Sequence, residues 1–233
     1  MSVQQLSLKA KLFLNAFNHA NAATFLAAAH TPESIPKLHG LPEVIVTGRA
    51  NVGKSSFLNA VIGRTSLVHS SKGAGRTRSL NFFRVGREPG TLVLVDAPGY
   101  GSRGKAEWGA LWEHYIDTRK QLRGIFLLIN APHRMTEFDR TMLKDLNARL
   151  SIGSTSSSHP GPKRIPVLQP VFTKIDRLGG HEVGHRHRRL LEEVKEIAPI
   201  AAPPILSSVV SNLGMDIGVS AARMAIANAC AGK

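Results

Sequence analysis

The chain has 233 residues, 42% of them hydrophobic, which suits one globular domain with extensions and a sizeable core. Its 30 Lys and Arg against 16 Asp and Glu give a net charge of +14, which favours a polyanionic partner. No apolar run reaches the ~18 residues a bilayer span needs, and Cys230, the only cysteine, excludes an internal disulfide and a cysteine-based zinc site.

Met1 to His30 carries Lys9 and Lys11 but no Asp or Glu, with Leu6, Leu8, Leu12, Leu14, Phe17 and Phe25 set among Ala and Asn. Two readings stay open. One is an amphipathic, acid-poor targeting segment, although no Arg precedes Arg49; the other is an N-terminal helix docked on the domain. The domain itself is expected over residues 24–233, after an extension of residues 1–23.

Leu41 to Val46 reads as a short buried strand, and Ser55 to Ile62 follows with helical spacing. Between them Gly48-Arg49-Ala50-Asn51-Val52-Gly53-Lys54-Ser55 fits G-x-x-x-x-G-K-[ST]. Such a loop turns its backbone N–H groups toward one point, where a triphosphate can sit. Lys54 can reach the β- and γ-phosphates, the Ser55 hydroxyl can ligate Mg²⁺, and Ser56 belongs to the same first turn. Gly75, Arg76, Thr77, Arg78 and Ser79 lie in the glycine-rich stretch that follows. That stretch can close over the γ-phosphate and give Thr77 to the metal; a basic flexible loop facing solvent or RNA is the alternative.

Ser79 to Val85 leads through Gly86 and Gly90 into Leu92 to Val95, an antiparallel hairpin at one edge. The second strand runs into Asp96-Ala97-Pro98-Gly99. A carboxylate at Asp96 can hold Mg²⁺ through water, and the Gly99 N–H can touch the γ-phosphate, an approach only Gly allows. Ile125 to Ile129 runs into Asn130-Ala131-Pro132-His133, and Val167 to Phe172 into Thr173-Lys174-Ile175-Asp176. Asp176 can accept from both N1–H and N2–H₂ of guanine, whereas adenine would leave the carboxylate unpaired. The Lys174 stem can lie along the base. Ser207 and Ser208, after Ile205-Leu206, can add backbone contacts to the guanine oxygen. Helical patterns cover Glu107 to Leu122, Thr136 to Leu150, Glu182 to Ile197 and Met215 to Ala231, and the serine-rich stretch from Ser151 to Pro166 reads as a mobile surface insertion. The alternation predicts an α/β fold: a mostly parallel, six-stranded sheet with one antiparallel edge strand and helices on both faces. Its ligand would sit at the carboxyl ends of the strands.

The segments GRANVGKSSFLNAV, SKGAGRTRSLNFF, LVDAPGYG and TKID, in that order, resemble the EngB GTPases from about Phe25 onward. The resemblance implies a Ras-like P-loop G domain that binds GTP or GDP with Mg²⁺ and helps mature the large ribosomal subunit through rRNA contact, beside other assembly factors. It further implies that the phosphate loop, Gly75 to Ser79, Asp96, Ala97, Pro98, Gly99, Thr173, Lys174, Ile175, Asp176, Leu206, Ser207 and Ser208 line the nucleotide. Ser55 and Thr77 would ligate the metal directly and Asp96 through water, and Lys54, Thr77 and Gly99 would carry turnover. Thr173 in place of Asn is normal for the family. Asn130, Ala50 and Ala97 depart from its common pattern and resemble organelle-type eukaryotic members. The expectation is therefore a monomer of the mitochondrial matrix, with the bacterial cytoplasm as the alternative and no membrane partner.

Ras-like enzymes place a water-orienting Gln where this chain has Tyr100, and a phenol cannot do that two-sided work, so slow intrinsic hydrolysis is expected. Asn51 resembles the K⁺-ligating Asn of several GTPases, or merely caps the turn. Two further readings compete with the switch. One is a ribosome-binding module stabilised by nucleotide, with negligible hydrolysis. The other, an ATP-dependent RNA enzyme, conflicts with Asp176. His181 and His185, four apart, lack a third strong ligand for zinc, and Trp108 and Trp112 share a helix face directed at the core or a partner.

Overall fold

Runs of five to nine mostly apolar residues build the central strands, as a sheet covered on both faces requires. A computed structural model describes residues 7–18, 23–68, 79–100, 105–153, 164–210 and 215–232. In chain order these form α1 (Leu8–Asn15), β1 (Ala23–Ala29), β2 (Glu43–Gly48), α2 (Lys54–Ile62), β3 (Leu80–Val85), β4 (Leu92–Asp96), α3 (Lys105–Thr118) and β5 (Leu122–Asn130). There follow α4 (Glu137–Gly153), β6 (Val167–Thr173), α5 (Gly180–Ile197), β7 (Ile205–Leu206), β8 (Ser208–Val210), β9 (Met215–Ile217) and α6 (Val219–Ala231).

The main sheet has the order β1-β3-β4-β2-β5-β6-β7. Pairing is parallel from β4 through β2, β5 and β6 to β7, while β3 runs antiparallel to both β1 and β4. The α/β, mostly parallel architecture is as the sequence predicts. Seven strands stand where six are expected, because Ala23–Ala29 adds an outer strand and moves β3 one place in from the edge. Its sequence, ATFLAAA, carries no strand signal of its own. Pairing with β3 and the edge-to-face contact of Phe25 with Phe83, 5.6 Å between centroids, override its propensity.

Side chains alternate across the sheet. Ile45, Val95, Ile125 and Leu127 join the layer packed on α3, α4 and α5. Val44, Val46, Leu94 and Phe126 join the layer packed on α1, α2 and α6. Ser7 caps α1 by accepting from the Ala10 N–H at 3.2 Å, and the helix packs on α6 with Phe13 and Phe17 buried. Arg223 of α6 donates to the Val61 and Ala60 carbonyls at 2.8 and 3.0 Å, capping the last turn of α2, and its guanidinium stands 5.8 Å over the Phe17 ring.

The expected helix from Met215 starts late. Met215–Ile217 is a strand paired antiparallel with Ser208–Val210, and Gly218, left-handed at φ 79°, ends it and opens α6. The helix expected to reach Leu122 stops at Thr118, and Leu122 begins β5. Ser151 to Gly153 form the end of α4, while residues 154–163 of the expected insertion lie outside the described residues. Trp112 is buried in the core, and the side chain of Trp108 lies outside the described residues. Among the described residues no helix is long and apolar enough to cross a membrane.

Candidate functional site

The sheet order brings the loops after β2, β4, β5, β6 and β7 to one edge. β2 hands the chain to the phosphate loop, and α2 opens at Lys54 with left-handed Gly53, φ 102°, before it. Asn51 is also left-handed, at φ 62°. The loop therefore reverses within a few residues, and the first-turn N–H groups of α2 face the space above β2. Two close approaches fix it. A Cβ on Gly48 would stand 2.8 Å from the Leu128 carbonyl oxygen, and one on Gly99 would stand 2.9 Å from the Ala50 nitrogen. Gly99 is thus pressed against the phosphate loop, and Arg49 and Tyr100 form a parallel bridge that extends the contact.

The loop after β6 closes over the same turn from the other side. The Thr173 hydroxyl lies 2.7 Å from the Val52 carbonyl and 3.2 Å from that of Ile129. Lys174, left-handed at φ 60°, donates from Nζ to the Asn51 carbonyl at 2.7 Å. Partial burial, and then the nearby Arg177, hold its ammonium below the ordinary lysine value. Asp176 is exposed at the rim, and the buried Ser208 donates to its Oδ1 at 2.6 Å. Ser207 braces this edge, its N–H donating to the Phe172 carbonyl at 2.7 Å and its carbonyl accepting from Ile175 at 3.4 Å. Leu206, in β7, is half-buried.

Asp96, at the end of β4, is buried and accepts from Lys54 Nζ. Ser55, half-buried in the first turn of α2, and Asp96 offer the hard oxygen donors that Mg²⁺ takes. With the two glycine close approaches and the left-handed turn, these residues fit a magnesium-bound nucleoside phosphate. Ala97 and Pro98 are buried and Ser56 is exposed. Gly75, Arg76, Thr77 and Arg78 lie outside the described residues; Ser79, just before β3, is buried and donates to Asn81 Oδ1 at 3.2 Å. The side chain of His181 is likewise outside them, and among the described residues no cluster of three or more His, Cys, Asp or Glu could hold a metal ion.

Tyr100 turns inward. Its hydroxyl donates to Asp139 Oδ1 at 2.8 Å, and burial, reinforced by that carboxylate, pushes the phenol well above its ordinary value. Asp139 also accepts from the Thr136 N–H at 2.9 Å and hydroxyl at 2.7 Å, and Arg49 stands 3.8 Å from it. Phosphate loop, the Asp-x-x-Gly segment and the start of α4 thus meet on one buried carboxylate. Sequence reasoning missed Asp139. The Thr-x-x-Asp spacing at the head of α4 was the available signal, since it is the pattern of a reciprocal helix cap.

A family profile described as 50S ribosome-binding GTPase matches residues 43–153. The Probable GTP-binding protein EngB of Trichlorobacter lovleyi is 36% identical over 169 residues, 70% of this chain and 76% of that protein. Its counterpart in Exiguobacterium sp. is 40% identical over 163 residues, 68% and 73% of the two chains. Toc33 from Arabidopsis thaliana, in complex with GDP and Mg²⁺, has the same fold with a TM-score of 0.58 at 17% identity, over 82% of this chain and 84% of that one. A crystal structure of a probable EngB gives 0.53 at 16%, over 81% and 98%. Identities of 36% and 40% with proteins that this chain spans over most of their length decide the matter: it belongs to the EngB family of GTP-binding proteins.

Proposed function

We propose that the protein hydrolyses GTP slowly and acts as an assembly factor of the large ribosomal subunit, contacting its rRNA beside other assembly factors. The observation that carries the nucleotide reading is the closure of one turn by two loops: Thr173 and Lys174 bond the carbonyls of Val52 and Asn51, so the base reader and the phosphate loop form one site. Lys54 and the first-turn N–H groups would hold phosphate oxygens, Ser55 and Asp96 the metal, and Asp176, oriented by Ser208, the guanine edge. Mg²⁺, when bound, would supply positive charge where the phosphate oxygens accumulate negative charge. Thr77 remains the proposed second metal ligand and a carrier of turnover with Lys54 and Gly99.

Slow turnover follows from Tyr100. Its hydroxyl is committed to Asp139, so no side chain at that position orients a water. That favours outside help, and it also keeps alive a second reading, a nucleotide-stabilised docking module with negligible hydrolysis. The ribosome contact rests on the family profile and on the net charge of +14. Asn130, Ala50 and Ala97 support the mitochondrial ribosome over the bacterial one.

Single-turnover GTP hydrolysis on precursor large subunits, purified from mitochondria and from a bacterium, tests these points together. Acceleration of at least ~10²-fold over free protein, about 2.7 kcal/mol of barrier, is expected on the mitochondrial precursor. No acceleration on either sinks the switch in favour of the docking module. The assay is run in Na⁺ and in K⁺ at matched ionic strength; equal rates exclude a cation at Asn51 as the substitute for an arginine finger.

A further inference from the structure

The contact surface for RNA can be narrowed from charge that the fold leaves unused. α5 starts beside the base-reading loop, because β6 ends at Thr173 at the nucleotide edge and the chain turns directly into the helix. Its apolar stripe is spent on the core: Leu190 and Val194 are buried. Its exposed stripe is divided. The half nearer the nucleotide carries His185, Arg188 and Arg189, flanked by half-exposed Arg186, whereas the far half mixes Glu192, Lys195 and Glu196.

No side chain of Arg186, Arg188 or Arg189 joins an ion pair or hydrogen bond among the described residues. Glu193, the acid four residues beyond Arg189, is taken by Arg140 of α4. Arg186 and Arg189 stand three apart, a like-charge spacing that disfavours a helix. Their guanidinium groups are therefore left without a polar partner among the described residues. Arg177, in the turn after β6, is exposed and likewise without an acidic partner among the described residues, and it carries the cationic strip to the rim of the base site.

We propose that this strip, Arg177 with Arg186, Arg188 and Arg189, is the surface that binds rRNA backbone phosphates, and that it seats the RNA beside the guanine-reading loop. The inference rests on the rRNA contact proposed above. RNA is favoured over an anionic membrane because α5 buries Leu190 and Val194 and exposes no large apolar side chain among the described residues, whereas a membrane-surface helix needs an apolar face to insert. Planar guanidinium groups suit phosphate, and four arginines with no Phe, Tyr or Trp between Arg177 and Arg189 argue for backbone rather than base recognition.

The test is binding of a fluorescein-labelled hairpin RNA to the full chain, by anisotropy over a series of KCl concentrations. The variant R186Q/R188Q/R189Q is expected to bind roughly tenfold or more weakly near 0.1 M salt, with the slope of log K against log salt shallower by about 2–3, because each lost phosphate contact removes ~0.7 on a single strand and ~0.9 on a duplex stem. R186K/R188K/R189K keeps the charge and most of the binding. K9Q/K11Q/K37Q removes the same number of charges from α1 and the segment before β2, and keeps the wild-type slope. GDP affinity is expected unchanged in all three, which also reports that they fold. If wild type binds RNA and the Gln triple binds with the same slope, or the remote Lys triple loses as much, the strip is wrong while the rRNA reading stands. If wild type shows no salt-dependent RNA binding, the rRNA reading falls and takes the strip with it. Binding of phosphatidylserine vesicles that depends on the same arginines as strongly as RNA binding does would overturn RNA as the occupant.

Discussion

Asp176→Asn is expected to weaken GDP binding by roughly 10²–10⁴-fold, the loss of two charge-assisted hydrogen bonds at about 1.5–3 kcal/mol each. The wild-type carboxylate has only acceptors, and guanine presents two donors along one edge. Ser208 holds one carboxylate oxygen at 2.6 Å, which fixes the plane of the group before any base arrives. The amide of the variant can still accept from Ser208 through its oxygen. Its NH₂ then faces the guanine donors, and one attraction becomes a repulsion. Xanthine carries an oxygen where guanine carries its amino group, so xanthosine diphosphate should gain what guanosine diphosphate loses. Competition against labelled GDP and labelled XDP measures both. Asp176 is exposed and its removal leaves no cavity, so the melting midpoint should stay within the change of about 0.5 kcal/mol typical of surface sites. A variant that binds GDP within about threefold of wild type would place the base reader elsewhere, since that is less than 0.7 kcal/mol.

That prediction was accessible from sequence because its parts are local. The glycines of the phosphate loop and the Thr-Lys-Ile-Asp run carry their chemistry in spacing along the chain, and the apolar runs before them place both at strand ends. Contacts that depend on sheet order were not accessible. Thr173 reaches the Val52 carbonyl across 121 residues only because β2, β5 and β6 lie side by side. Tyr100 stands out in sequence where Ras-like enzymes have Gln, but its partner Asp139 does not, because nothing local says that α4 begins beneath the phosphate loop. Ala23–Ala29 failed for the opposite reason. Its own pattern is so weak that β3 alone decides its conformation. Met215 failed because a three-residue hairpin strand is too short to interrupt a helical pattern unless Gly218 is given its left-handed role.

Glu43 is the second residue whose removal should be costly, and its only local signal is a charge at the head of an apolar strand. It is fully buried at the start of β2. Arg119, just beyond the end of α3, donates from Nε to both its oxygens at 2.9 Å and from Nη2 to the Pro36 carbonyl at 3.3 Å; Tyr115 of α3, also fully buried, donates its hydroxyl to Glu43. Burial and the adjacent carboxylate push that phenol well above its ordinary value, so it stays a donor at any working pH. Glu43→Ala would strand a half-buried guanidinium and a buried hydroxyl, a loss of about 3–5 kcal/mol. At roughly 2–4 °C per kcal/mol for a chain of this size, the melting midpoint should fall by about 10 °C. Arg149 provides the contrast. It bridges Glu113 and Asp117 of α3 to Asp145 of α4, but its acids are exposed, and Glu113→Ala should cost less than about 1 kcal/mol. The cost at Glu43 is that of unpaired buried groups rather than of a strong bond. Replacing all three partners together (Glu43→Leu, Tyr115→Phe, Arg119→Leu) should therefore recover much of what Glu43→Ala loses. If the triple variant is no more stable than Glu43→Ala, the ion pair itself holds α3 to the strand that feeds the phosphate loop. If Glu43→Ala melts within about 2 °C of wild type, less than one kcal/mol, neither account survives.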